Sequence, residues 1–247
     1  MNTKQKIEKN FDAASTSYEQ VATVQKLCAQ HLVNMLKAHF KTLNPSSIFD
    51  VGAGTGYVAW LLQYYFPAAE YTLNDVSNGM LNIAKRKFSG KENFSFLPGD
   101  IEKNYFGKHE LIVSNLSLQW ADDLAYILKK LYAQSKNLAF SLLLWGTFDE
   151  WNARLNSFGL TDLIKVYPHQ QWLQDLLQTL KPLALHIEVK EFSLNFDNPL
   201  NVMRYLQQLG ANTPAAYVNL PQLLRLVKTN KEPCKLNYKV MFVLLEK

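Results

Sequence analysis

The sequence predicts an α/β domain on a largely parallel sheet, with helices on both faces. Three observations carry that prediction. Short apolar runs at 47–51, 70–74, 94–97, 111–114 and 137–144 alternate with segments of helical periodicity, and such alternation pairs strands in parallel. The first run leads into Asp50-Val51-Gly52-Ala53-Gly54-Thr55-Gly56, where glycines let the chain turn sharply and lie close to a ligand. A helical segment starts at once from Tyr57, so its free N–H groups point back at the turn. Strand, glycine turn and helix start together place a nucleotide-type pocket at the C-terminal edge of the sheet.

Each element has a local reason. Val21, Val24, Leu27, Cys28, His31, Leu32, Met35 and Leu36 recur at threes and fours, which is a helix laid on a core. The stretch 11–18, rich in small and hydroxyl residues, reads as a break between two leader helices. Asn44-Pro45 ends the leader. Helices are expected at about 57–65, stopping before Pro67, at 79–88, and around Leu124, Ile127, Leu128 and Leu131. Beyond 147 the pattern changes. Helical stretches at 147–180 and 199–229 surround an alternating strand at 185–196, and a last strand covers 237–245. The expected organisation is one domain, 1–247. It has a helical leader at 1–44, a cofactor-binding half at 45–146, and helical inserts at 147–184 and 198–232 that cap the crevice.

Composition narrows the function. The 247 residues are 48% hydrophobic, enough for one substantial core. A net charge of +5 suits an acidic protein partner but is too small to demand nucleic acid. Cys28 and Cys234 give neither a disulfide framework nor a metal spacing, so no metal is expected. The longest apolar run, 138–145, is too short to cross a membrane, and the N-terminal residues lack a signal-peptide core. A cytoplasmic monomer without a membrane partner is expected.

The candidate site residues fall at strand ends. Gly54-Thr55-Gly56-Tyr57-Val58-Ala59 fits a dinucleotide fingerprint, while Asp50-x-Gly52-x-Gly54-x-Gly56 fits the form found in S-adenosylmethionine methyltransferases. Asp75, with Val76 beside it, stands 21 residues past Gly54, where a carboxylate accepts ribose hydroxyls. Asp100 and Ile101 suit an adenine amino group and ring. Asp50 suits a cationic α-amino group and would repel a pyrophosphate. No nucleophile, base and orienter set stands out. The run Lys85-Arg86-Lys87 reads as a solvated face.

These residues resemble class I S-adenosylmethionine methyltransferases. A closer resemblance runs through almost the whole chain, to the malonyl-acyl-carrier-protein O-methyltransferases of biotin synthesis. It rests on Phe11…Ala13-Ala14…Tyr18-Glu19…Gln25, on Ser114-Asn115-Leu116…Gln119-Trp120, on Phe196-Asp197…Met203-Arg204…Leu206…Gly210-Ala211, and on Leu236-Asn237-Tyr238. The resemblance implies a Rossmann-like seven-stranded sheet with one antiparallel strand. It also implies S-adenosylmethionine as cofactor, S-adenosylhomocysteine as product, and malonyl-acyl-carrier protein as transient partner. Asp50, Gly52, Gly54, Gly56, Asp75, Val76, Asp100, Ile101 and Asn115 would bind the cofactor. Tyr18, Arg204, Gln119 and Trp120 would bind substrate, with Arg204 clamping its carboxylate. No general base is expected, since a carboxylate with a pKa near ~4 is already ionised. Other readings are a small-acid methyltransferase of the trans-aconitate type, a quinone-ring methyltransferase, a dinucleotide oxidoreductase, and an assembly factor that retains the fold.

Overall fold

Seven strands form the sheet of the computed structural model, which describes residues 3–163, 165–211 and 219–247. They are β1 (Ser47–Val51), β2 (Glu70–Asp75), β3 (Phe94–Pro98), β4 (His109–Asn115), β5 (Ser135–Leu143), β6 (Ala184–Phe196) and β7 (Cys234–Glu246). Their order is β3-β2-β1-β4-β5-β7-β6. From β3 across to β5 neighbouring strands pair in parallel, and β7 runs antiparallel to both its neighbours. The order reverses between β1 and β4, so their C-terminal ends open a crevice there.

The sheet splits the core by simple alternation. Ile48, Leu111 and Val113 face one hydrophobic cluster, while Phe49, Val51 and Ile112 face the other. The first face is covered by helices α2 (Thr23–His39), α3 (Tyr57–Tyr65), α4 (Asn78–Lys87), α6 (Asp149–Ser157), α8 (Pro199–Gln208) and α9 (Leu220–Thr229). The second is covered by α5 (Leu124–Ala133) and α7 (Gln170–Thr179). Leu173 and Leu177 of α7 are fully buried there, so this part of the 147–184 stretch fills the core under the sheet.

The leader differs from its sequence reading. Helix α1 runs unbroken over Thr3–Val21, and the change of direction comes at Ala22. The hydroxyls that suggested a break are accommodated within the helix. Ser15 Oγ donates to the Asp12 carbonyl at 2.8 Å and Ser17 Oγ to the Ala14 carbonyl at 3.1 Å. Phe11, Ala14 and Tyr18, at threes and fours, then share one inward face.

Tertiary bonds tether α1. Asp12 Oδ1 accepts from Ser77 Oγ at 2.5 Å and from the Gly79 amide at 2.8 Å, at the start of α4. Gly210, at φ +74°, ends α8 so close to α1 that a Cβ there would sit 2.8 Å from the Phe11 ring. The helical reading of 212–218 lies outside the described residues.

Candidate active site

The crevice between β1 and β4 holds a cleft of about 840 Å³, open solvent at its mouth included. Its floor comes from strand ends. β1 supplies Val51 and then Gly52 and Gly54, β2 supplies Asn74, Asp75 and Val76, and β4 supplies Asn115 and then Leu116 to Leu118. Gly99, Asp100, Ile101 and Glu102 follow β3. The roof is α1, which lays Lys4, Ile7, Phe11 and Tyr18 over the opening.

The glycine turn is fastened by Asp75. Its Oδ2 accepts the Gly54 amide at 2.8 Å and its Oδ1 accepts the Ser77 amide at 2.8 Å. Burial pushes the Asp75 carboxyl up to about 6, against the pull of those two amides. The three glycines do different jobs. Gly52, at φ +63°, passes so near Ser117 that a Cβ would lie 1.8 Å from its Oγ. Gly54, at φ +55°, faces open space and the cleft. Gly56, at φ +80°, does not line the cleft; it lets α3 start against the Phe88 ring.

Asp50 is buried behind this floor, and neither carboxylate oxygen meets a hydrogen-bond donor at normal distance. Burial pushes its carboxyl up to about 7. The nearby Ala59 amide pulls it down, and the Asp75 charge pushes it further up. An orphaned buried carboxylate is costly and fits a cationic group brought by a ligand.

Lys4 clasps the far end. Its Nζ lies 2.7 Å from Asp100 and 3.5 Å from Asp122, and it also bonds Glu102. Burial raises the Asp100 carboxyl, but Lys4 and the Glu102 amide outweigh it and hold the group below the usual range. Leu116 adopts φ +49°, unusual for a branched side chain. Ser141 holds it there, accepting the Leu116 amide at 3.0 Å through Oγ and at 3.1 Å through its carbonyl. Asn115 Oδ1 accepts from the same Ser141 hydroxyl at 2.7 Å.

Of the residues expected in the site, the cleft gathers Tyr18, Gly52, Gly54, Asp75, Val76, Asp100, Ile101, Asn115 and Trp120, with Asp50 just behind its floor. Three others are elsewhere. Gln119 donates back to the Leu116 carbonyl at 2.6 Å and supports the loop. Gly56 packs, as above. Arg204 is exposed and does not line the cleft. The buried face of α8 carries Val202 and Tyr205, and at about 100° per residue Arg204 falls on a different face. Sequence reasoning missed Lys4, Ile7, Met80 and Glu102. The α1 periodicity was the available signal for Ile7, and nothing local marked Lys4.

A family model described as a methyltransferase domain matches residues 48–137. The malonyl-[acyl-carrier protein] O-methyltransferase of Neorickettsia risticii is 34% identical over 233 residues, covering 94% of this chain and 92% of that protein. The chain belongs to the malonyl-[acyl-carrier protein] O-methyltransferase family. A second family member, from Coxiella burnetii, is 30% identical over 217 residues, covering 85% of this chain and 82% of its own length. Among solved structures, the magnesium protoporphyrin IX methyltransferase of Synechocystis, with bound S-adenosylhomocysteine, covers 93% of this chain at a TM-score of 0.58 and 13% identity. The chain covers 86% of that structure, a likeness of fold.

Family and fold together make the chain an S-adenosylmethionine-dependent methyltransferase. The site of this family member fits the cofactor on its own terms: an orphaned carboxylate for an ammonium, a glycine cradle, and strand-end carboxylates. Among the described residues no helix is long and apolar enough to cross a membrane.

Proposed function

We propose that this enzyme methylates the free carboxylate of a malonyl thioester carried by an acyl-carrier protein, in the pimeloyl-forming steps of biotin synthesis. The observation that carries the reading is the match to a relative of that name over 94% of this chain and 92% of that protein, which extends well beyond the cofactor half. When bound, S-adenosylmethionine supplies an electrophilic methyl group on a sulfonium. Asp50 would receive the amino group of its methionine end, Asp75 the ribose hydroxyls, and Asp100 with Ile101 the adenine. Asn115 and Val76 complete the walls.

The chain's remaining work is positioning. No histidine or cysteine is among the described residues lining the cleft, and an ionised carboxylate needs none to remove a proton. Methyl transfer from a sulfonium to a carboxylate destroys two opposite charges, so a dry site favours it over water. Phe11, Tyr18, Leu116, Leu118 and Trp120 give the cleft its apolar walls. The leader acts as the roof, and the net charge of +5 suits an acidic carrier protein.

Incubation with labelled S-adenosylmethionine and, in parallel, malonyl-acyl-carrier protein, malonyl-coenzyme A and trans-aconitate tests the reading. Label is expected on a malonyl thioester. Label on trans-aconitate alone would move the enzyme to the small-acid class. For the ribose role, Asp75→Ala is expected to weaken cofactor binding roughly ten- to hundredfold, the loss of one charged acceptor. Wild-type affinity in calorimetry would remove Asp75 from the cofactor site.

A further inference from the structure

Arg204 is exposed and off the cleft, which leaves the carboxylate without its expected partner. The cations near the cleft are otherwise engaged. Lys4 is shared among Asp100, Glu102 and Asp122, and Lys130 donates to the carbonyls of Ile101, Glu102 and Asn104. Lys165 is different. Its Nζ lies 4.4 Å from the centroid of the Trp120 ring, a wall of the cleft, although Lys165 itself is not among the residues that line it. Among the described residues, no hydrogen bond or ion pair within 4.0 Å holds it.

Lys165 sits between α6 and α7 on an anchored stretch. Two residues on, Tyr167 is buried, and the Pro168 carbonyl accepts the Trp145 amide at 2.8 Å. The ammonium is half-buried, and burial lowers its pKa against a raising effect from the more distant Asp122. An indole face returns only part of what a cation loses on leaving water. Trp120 is itself braced by Phe11, edge-on at 5.7 Å. The ammonium therefore rests on the Trp120 face and is short of an anion.

We propose that Lys165, held over Trp120, is the cation that binds the substrate's carboxylate, in the role that the sequence suggested for Arg204. This rests on the carboxyl-methyltransferase reading above. A single ammonium suits the task. It draws in the anion and sets its position without the two-point grip of a guanidinium, which would hold the carboxylate back as its charge is lost.

The test uses the full chain with three variants, Lys165→Met, Lys165→Arg and Arg204→Ala. Methionine keeps the stem's packing on Trp120 and removes only the charge. Steady-state kinetics on malonyl-acyl-carrier protein and malonyl-coenzyme A would run beside calorimetry of S-adenosylmethionine binding. Lys165→Met is expected to raise KM for the thioester roughly ten- to hundredfold, with cofactor affinity unchanged. Lys165→Arg should recover most of the KM loss but lower kcat through its two-point grip, and Arg204→Ala should behave as wild type. An unchanged KM in Lys165→Met, or a parallel loss of cofactor affinity, overturns the proposal. If the wild type turns over neither thioester, the carrier reading fails. Binding of free malonate to the S-adenosylhomocysteine-loaded protein then decides the anion site. Binding lost in Lys165→Met supports it, and binding that is absent or indifferent to the variant overturns it.

Discussion

Asp50→Asn is expected to stabilise the ligand-free protein at about pH 8 and at the same time to loosen its hold on S-adenosylmethionine. The Asp50 carboxyl is buried with no hydrogen-bond donor at normal distance, and burial pushes it up from 3.8 to about 7 against the pull of the Ala59 amide. Its folded pKa is raised, so folding takes up a proton between those values. The stability linked to this group is full below 3.8 and is lost as pH rises through about 7. At about pH 8 the wild type thus carries a buried, unpaired charge, and asparagine removes it while keeping the shape. Each kcal/mol gained corresponds to roughly 2–4 °C in Tm for a chain of this size.

The same charge is what an ammonium group needs. Cofactor binding by the wild type should weaken as pH falls below about 7, approaching tenfold per pH unit, because Asp50 must first release its proton. In Asp50→Asn the affinity should be lower, by roughly ten- to hundredfold, and this part of its pH dependence should vanish. Calorimetric titration and thermal melts across about pH 6 to 8 measure both effects. A variant that melts lower at the alkaline end, or binds cofactor like the wild type, would show that Asp50 is not the ammonium's partner.

Gly52→Ala should be the most damaging single methyl in the molecule. The backbone there has φ +63°, which costs an alanine about 1 kcal/mol or more. The new Cβ would also lie 1.8 Å from Ser117 Oγ and 2.4 Å from Ser117 Cβ. Relief requires moving the loop after β4, which carries the strained Leu116 and lines the cleft. A loss of roughly 2–4 kcal/mol in stability is expected, with cofactor binding abolished. Gly54→Ala is the control. Its Cβ meets nothing within 4 Å, so the fold should survive at the backbone cost alone while the methyl intrudes on the cleft. Denaturant unfolding of the two variants would separate the outcomes. Equal stability losses would show that the Ser117 contact is easily relieved.

The strands and the position of the cleft were legible because their signals are local. A buried strand is a short apolar run, and the three turn glycines stand where backbone φ is positive. Asp75 and Asp100 announce themselves by following strands, since strand ends in a parallel sheet converge on one edge. The leader was harder. Ser15, Thr16 and Ser17 favour a break in isolation, but packing of Phe11, Ala14 and Tyr18 on one face carries the helix through them.

What the sequence by itself determined was the α/β sheet, the glycine turn and the family, because period, glycine placement and motif spacing are written along the chain. What only the tertiary structure decided was where the charged side chains stand around the cleft. Side-chain direction on a helix and the meeting of distant segments depend on packing, not on neighbours in sequence. Packing turned Arg204 outward with the exposed face of α8, brought Lys4 across 96 residues to Asp100, and set Lys165 over Trp120.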